Sequence, residues 1–262
     1  MTLILDGLTK AYGGLKVVDG VSLAIPENGM TGIIGPNGAG KSTLFSLVTG
    51  FIEADAGSVQ LGEAPLDRLP AHARAQAGMV RTFQVPREYT HLSVRENLAA
   101  AAPGQTGESL AGLFLRPARV RAEEKALAAR IDEVLAFLRL EPVANLAASS
   151  LSGGQKKLLE LGRALMTGAR LILLDEPFAG VNPVLIEQLS GRIRELHARG
   201  TGFLIIEHDL GALSRLVSTM HVMDRGRVIA SGTPAAVLAD PLVREAYLGG
   251  ATGGNAQAGN AA

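Results

Sequence analysis

The chain has no cysteine among its 262 residues, which rules out disulfides, thiolate zinc sites and cysteine nucleophiles. Its five histidines are scattered without metal-ligand spacing, so no structural metal is expected. An excess of charge of either sign is also missing. Lysine plus arginine number 25 and aspartate plus glutamate number 25, so no basic surplus marks a nucleic-acid stripe, and no nucleic-acid partner is expected. No apolar run approaches the roughly 18–20 uncharged residues that a membrane-spanning helix needs. The opening MTLILDGLTKAYGG carries neither a basic start nor a cleavage-like site. The expectation is a chain that neither crosses a membrane nor is exported by a leader. Internal repeats are absent as well.

What is present is ordinary for a globular protein: 47% hydrophobic and 19% charged residues, in a chain long enough to bury a sizeable core. LILDGL, VSLAI and MTGIIG read as short strands, the last feeding a glycine-rich loop and then a helix over 41–49. GSVQLG and MVRTFQ, the latter at Met79–Gln84, read as further strands. From 93 to about 169 the character changes to alanine, leucine and arginine at helical spacing, as in EEKALAARIDEVLAFLRL, which predicts a helical insert over 93–169. LILLD is a continuous apolar run, typical of a strand covered on both faces. A helix over 183–199, the strand GFLIIE, a short helix after Asp209, and the strands MHVMD and RVIASG follow. Alternating strands and helices predict an α/β fold with a mainly parallel sheet. The end of the chain, 249–262, has no apolar periodicity and is expected to be a disordered tail.

GPNGAGKST, Gly35 to Thr43, fits the phosphate-binding pattern GxxxxGK[ST] between a predicted strand and a predicted helix. Glycines there turn backbone N–H groups inward around phosphate oxygens, and the helix N-terminus adds its positive end. Lys41 balances the terminal phosphates and Ser42 can ligate magnesium. Asp175 and Glu176 end the buried strand, where open α/β sheets place their ligands. Asp175 is a candidate magnesium ligand and Glu176 a candidate to polarise the attacking water. LSGGQ, Leu151 to Gln155, opens a helix with Ser152 suited to an N-cap. Read alone, it is a capped surface helix whose glycines leave N–H groups open to an anion.

The order GPNGAGKST, Gln84 after a strand, LSGGQ, LILLDE, then His208 after FLIIE resembles the nucleotide-binding subunit of an ABC transporter, from Leu3 to about Gly249. The resemblance implies the ABC ATPase fold: a P-loop NTPase core with a mainly parallel sheet, an antiparallel β subdomain and a helical insert. The chain then divides into 1–92 (core and β subdomain), 93–169 (insert, ending in the signature helix), 170–248 (remaining core) and 249–262 (tail). It also implies ATP and magnesium as ligands, and two chains sandwiching two ATP molecules head to tail. Each ATP lies between one chain's Gly35, Pro36, Asn37, Gly38, Ala39, Gly40, Lys41, Ser42 and Thr43 and the other chain's Ser152, Gly153, Gly154 and Gln155. Tyr12 matches the residue that stacks on adenine, and His208 the switch histidine. Gln84 matches the residue that senses the γ-phosphate, contributes to the metal site and contacts the permease. Glu176, His208 and Gln84 are the implied catalytic set, and Ser42, Gln84 and Asp175 the implied metal set.

RTFQ at Arg81–Gln84, EPFAGVNP at Glu176–Pro183 and the ending IASGTPAAVLADPLVREAYLG are similar to the ATPases of branched-chain amino acid uptake. Asn182 stands where most ABC ATPases carry aspartate. DEPFAG and LPAHARAQAG are equally similar to the lipopolysaccharide-export ATPase, while Arg81-Thr82-Phe83 and Glu207-His208-Asp209 tip the reading toward uptake. The implied partners are a second ATPase chain, identical or paralogous, transmembrane permease subunits and, indirectly, a periplasmic binding protein. The implied location is the cytoplasmic face of the bacterial inner membrane. The alternatives are an exporter ATPase of the lipopolysaccharide type, a soluble ABC protein acting on nucleic acid or ribosomes, and a catalytically silent assembly partner. Gln84 to Val94, with Tyr89 and Leu92 as apolar anchors, is expected to dock the permease.

Overall fold

Strong β-formers alternating with polar residues open the chain as an antiparallel hairpin, β1 (Thr2–Tyr12) and β2 (Leu15–Pro26). The intervening Gly13 and Gly14, at φ +55° and +85°, supply the left-handed turn that suits the twist of paired strands. The computed structural model describes residues 2–82 and 87–252. Its remaining strands are β3 (Met30–Ile34), β4 (Ala56–Leu61), β5 (Ala64–Pro65), β6 (Met79–Arg81), β7 (Leu171–Asp175), β8 (Gly202–Ile206), β9 (Thr219–Asp224) and β10 (Arg227–Gly232). The helices are α1 (Lys41–Val48), α2 (Ala71–Gln76), α3 (Val94–Ala99), α4 (Leu110–Leu115), α5 (Pro117–Leu138), α6 (Gly153–Met166), α7 (Pro183–Ala198), α8 (Leu210–Ser214), α9 (Pro234–Ala239) and α10 (Pro241–Thr252).

Two sheets result. One is antiparallel, in the order β2-β1-β4-β5; the other runs β10-β9-β3-β8-β7-β6 and is parallel except for β10. Every residue of β3, β7 and β8 is buried, as continuous apolar runs in a doubly covered parallel sheet require. Alternation along these strands divides the core. Ile33, Leu171, Leu173, Leu204 and Ile206 face α1 and the antiparallel sheet, where Leu3, Leu5, Leu44 and Phe45 fill the space. Ile34, Ile172, Leu174, Phe203 and Ile205 face the other way, into a second core shared with α3, α5, α6 and α7.

The α/β class with its mainly parallel sheet is as expected. α2 was not foreseen, because AHARAQ has no apolar period to betray a helix. The run of helices between Val94 and Met166 matches the helical character read there, interrupted by turns and short 3-10 segments. α10 continues to Thr252, past Gly249 where a tail was expected to begin, so 249–252 are helical rather than irregular. Residues 253–262, and the expected strand end and sensor at Phe83–Gln84, lie outside the described residues.

Candidate active site

β3 delivers the chain into Gly35–Gly40, which folds tightly over β9 and β2. A Cβ on Gly35, at φ +153°, would stand 2.1 Å from the Met223 carbonyl oxygen, and one on Gly40, at φ +97°, 2.3 Å from that of Val17. Only glycine fits at either place. Gly40 is also the N-cap of α1 and has no side chain to close the helix end, so first-turn N–H groups face outward, ready for an anion. Asn37, Gly38 and Ser42 are exposed, Pro36 and Thr43 half-buried, and Ala39 buried.

Lys41 is folded back on its own loop, donating to the carbonyls of Gly35 at 2.8 Å and Pro36 at 3.0 Å. Burial lowers the proton affinity of its ammonium, while the negative charges of Glu176 and Asp175 oppose that shift. The lysine thus feels two acids at the C-terminal end of β7, Asp175 on the strand and Glu176 in the turn after it.

Asp175 ends β7 at 5% exposure, and its Oδ2 accepts from Arg81 Nη2 at 2.6 Å. Arg81 reaches from β6, its other terminal nitrogen on Ser46 Oγ at 2.9 Å and its guanidinium over the Phe45 ring. The arginine therefore ties the phosphate-loop helix to the acid at the sheet's edge. Glu176 follows with φ +49°, a left-handed conformation that is strained for a residue with a side chain. Its Oε1 lies 2.8 Å from His208 Nε2.

Glu207, the residue before the histidine, is 3% exposed. Its Oε1 accepts the Phe178 N–H at 2.6 Å and its Oε2 the His208 N–H at 3.0 Å. Burial raises its proton affinity; backbone N–H bonds from Phe178, His208 and Asp209 pull it back down. Lys157, on α6, donates to the Glu176 carbonyl at 3.2 Å, which links the helical insert to the same turn.

Ser152 caps α6: its Oγ accepts the Gln155 N–H at 3.3 Å and Gln155 Oε1 accepts the Ser152 N–H at 2.9 Å. This reciprocal box is what Ser-x-x-Gln at a helix start predicts. Ser152 and Gly153 are exposed, and nothing lies within 4 Å of the position a Gly153 Cβ would take. A Cβ on Gly154 would sit 1.8 Å from Leu185 Cδ2, so a side chain there must displace Leu185 at the start of α7. Asn182 is the N-cap of α7, its Oδ1 accepting the Leu185 N–H at 2.9 Å. Tyr12 ends β1 half exposed, with Lys10 Nζ 5.8 Å from its ring centroid.

The structure thus gathers Lys41, Asp175, Glu176 and His208 around one loop. It leaves Ser152–Gln155 apart, Ser152 and Gly153 exposed and Gly154 and Gln155 half-buried, with no hydrogen bond to that loop among the described residues. Sequence reasoning missed Glu207, Arg81 and Lys157 as parts of the site. The one available signal was an acid directly after the five apolar residues of β8, a place where burial is expected and charge is costly.

Comparison with known proteins fits this arrangement. The ABC transporter family model matches residues 18–179, and a model described as branched-chain amino acid ATP-binding cassette transporter matches residues 227–252. The high-affinity branched-chain amino acid transport ATP-binding protein LivG of Salmonella typhimurium is 39% identical, over 94% of this chain and 97% of its own. The lipopolysaccharide export system ATP-binding protein LptB of Escherichia coli is 35% identical, over 95% and 97%. Among solved structures, the ADP conformation of MJ1267, an ATP-binding cassette of an ABC transporter, superposes with a TM-score of 0.79 at 37% identity, covering 95% of this chain and 99% of that one. The chain belongs to the ABC transporter family, as one of its ATP-hydrolysing nucleotide-binding cassettes.

Proposed function

We propose that this chain energises an importer of branched-chain or related amino acids by hydrolysing ATP at the site described. The observation that carries the chemistry is the 2.8 Å contact of Glu176 with His208, beside a phosphate loop whose lysine feels the charge of the same glutamate. The likeness to LivG and the match of the C-terminal segment to the branched-chain amino acid model support the solute class over the lipopolysaccharide reading suggested by LptB.

In this reading Lys41 leaves the carbonyls of Gly35 and Pro36 for the β and γ phosphates. The open N–H groups of α1 hold phosphate oxygens, and the Tyr12 ring stacks on adenine. Glu176 accepts a proton from the attacking water while His208 holds its carboxylate in place and faces the γ-phosphate. Asp175 and the Ser42 hydroxyl fit a magnesium ion that arrives with the nucleotide. Gln84, the third residue of the implied metal set, lies outside the described residues, and among those described no group of three or more His, Cys, Asp or Glu could hold a metal. Magnesium would supply neutralisation of phosphate charge.

The Ser152–Gln155 end of α6 completes the site of a second cassette, so hydrolysis needs two chains. Gln84 carries the γ-phosphate signal toward the permease. Tyr89, half exposed and stacked 4.9 Å from the Arg163 guanidinium, anchors that contact, and the pair of cassettes sits on the cytoplasmic face of the membrane.

The test is Glu176→Gln. It should bind MgATP with affinity near that of wild type, hydrolyse it at least about 100-fold more slowly, and accumulate as an ATP-dependent dimer by light scattering. Turnover at the wild-type rate would remove Glu176 from the mechanism.

A further inference from the structure

The reacting glutamate and its histidine sit on different loops. Glu176 belongs to the turn after β7 and His208 to the turn after β8, and their contact requires both turns to be held in register. Neither is held by regular structure: β7 ends at Asp175 and β8 at Ile206. Glu176 also adopts a left-handed conformation, which persists only where the surroundings over-determine it. One restraint is its own N–H on the Ile206 carbonyl at 2.9 Å.

The second restraint is a side chain. Glu207 places one carboxylate oxygen on the Phe178 N–H, two residues beyond Glu176, and the other on the N–H of His208 itself. A single buried carboxylate thereby bridges the two loops across 29 positions of sequence. No shorter or neutral side chain does this. Aspartate lacks the reach to hold both loops, and glutamine would turn an N–H₂ toward one of the two N–H donors.

We infer that Glu207 is a positioning residue that fixes the Glu176–His208 pair at reacting distance. This rests on the roles assigned to Glu176 and His208 above. Glu207 itself has no access to solvent or substrate at 3% exposure, and acts through the two backbone segments it clamps. Its energetics agree with such a role. Burial and the nearby charge of Glu176 both disfavour its ionised form, while the backbone N–H donors favour it. A buried carboxylate maintained against that opposition contributes geometry more than stability.

The experiment compares wild type, Glu207→Gln, Glu207→Asp and Glu176→Gln as full-length chains. Steady-state ATP turnover, MgATP affinity from a fluorescent analogue, and the melting temperature are measured for each. For Glu207→Gln the expected result is a kcat lowered by roughly 30- to 100-fold, the scale of losing about an ångström of alignment between reacting groups. Affinity should stay within about twofold and the melting temperature within a few degrees of wild type, because the loop around Lys41 is untouched and a disfavoured buried charge has been removed. Glu207→Asp, which retains the charge and can hold one loop, should lose less kcat at equal affinity; it also stands in should the glutamine variant fail to fold. Wild-type kcat in either variant overturns the inference. So does a loss of kcat that travels with an equal loss of affinity and a collapsed melting temperature, the mark of a merely structural residue. If Glu176→Gln itself turns over normally, the reading of the site fails instead, and the two failures are told apart.

Discussion

The helix that carries Lys41 and Ser42 is held at its far end by one buried side chain, and removing that side chain gives a quantitative test. Arg74, on α2, is 4% exposed. Its Nη1 donates to the carbonyls of Leu47 and Val48 at 2.9 and 2.7 Å, its Nε to Leu69 at 2.9 Å and its Nη2 to Asp67 at 3.2 Å. Two of these are last-turn carbonyls of α1, which otherwise lack intrahelical donors, and the cation complements the negative end of the helix dipole. Arg74→Met keeps the apolar stem and removes every donor. Four bonds from a charged donor would sum to roughly 6–12 kcal/mol at face value. That sum is offset by relief of the cost of burying the guanidinium, and the Leu47 carbonyl keeps the Gly50 N–H at 3.2 Å. The net expectation is a loss of about 3 kcal/mol, at the low end for breaking a buried charged site. It corresponds to a drop of roughly 6–12 °C in melting temperature for a chain of this size. Urea titration and calorimetry measure it, and saturating MgATP should restore part of the loss, because nucleotide binds the end of the helix that the variant leaves intact. A loss below about 1 kcal/mol would refute the assignment of Arg74 as the C-terminal anchor of α1.

Three further outcomes are expected. Ser152→Arg and Lys41→Ala should each abolish turnover as pure chains, yet a mixture should regain activity, because the mixed dimer confines both lesions to one site and leaves the other complete; no recovery on mixing would sink the shared-site reading. Tyr89→Ala should leave ATP turnover of the free subunit within about twofold while weakening assembly with permease in membranes by roughly 10- to 100-fold, as hot-spot truncations do; since Asn97 pins the backbone at Tyr89 through the Tyr89 N–H and carbonyl at 2.8 and 3.0 Å, a lowered melting temperature with intact assembly would contradict docking. Glu123, held by Arg119 and by the Thr106 N–H and hydroxyl, has its carboxyl pulled down from 4.5 to about 2. A depressed folded value contributes stability above pH 4.5 that is lost as pH falls from there toward 2, so the protection of amides around Thr106, measured against their intrinsic exchange rate at each pH, should fall over that window, and Glu123→Gln should remove this pH dependence of protection.

The parts of this protein legible in the sequence are those specified by short-range rules. Glycines at Gly35 and Gly40, the Lys41-Ser42 pair behind them and the Ser152-x-x-Gln155 box each follow from local backbone geometry, and each stands where the pattern put it. The apolar runs of β3, β7 and β8 are equally local, since burial on both faces favours apolar side chains along most of each strand. α2 escaped because Arg74 is buried by its partners on α1 rather than by any period of its own. The last turn of α10 escaped for a similar reason: GGAT is a poor helix former, and the segment ahead of it is packed beneath β10. The pairing of Glu176 with His208, the Arg81–Asp175 bridge and the Glu207 clamp join residues 32, 94 and 29 positions apart. No local preference encodes such partners. They meet because parallel strands β6, β7 and β8 lie side by side and deliver their C-terminal ends to one edge. Sequence alone determined which residues are suited to phosphate, metal and water; the order of strands in the sheet decided which of them touch.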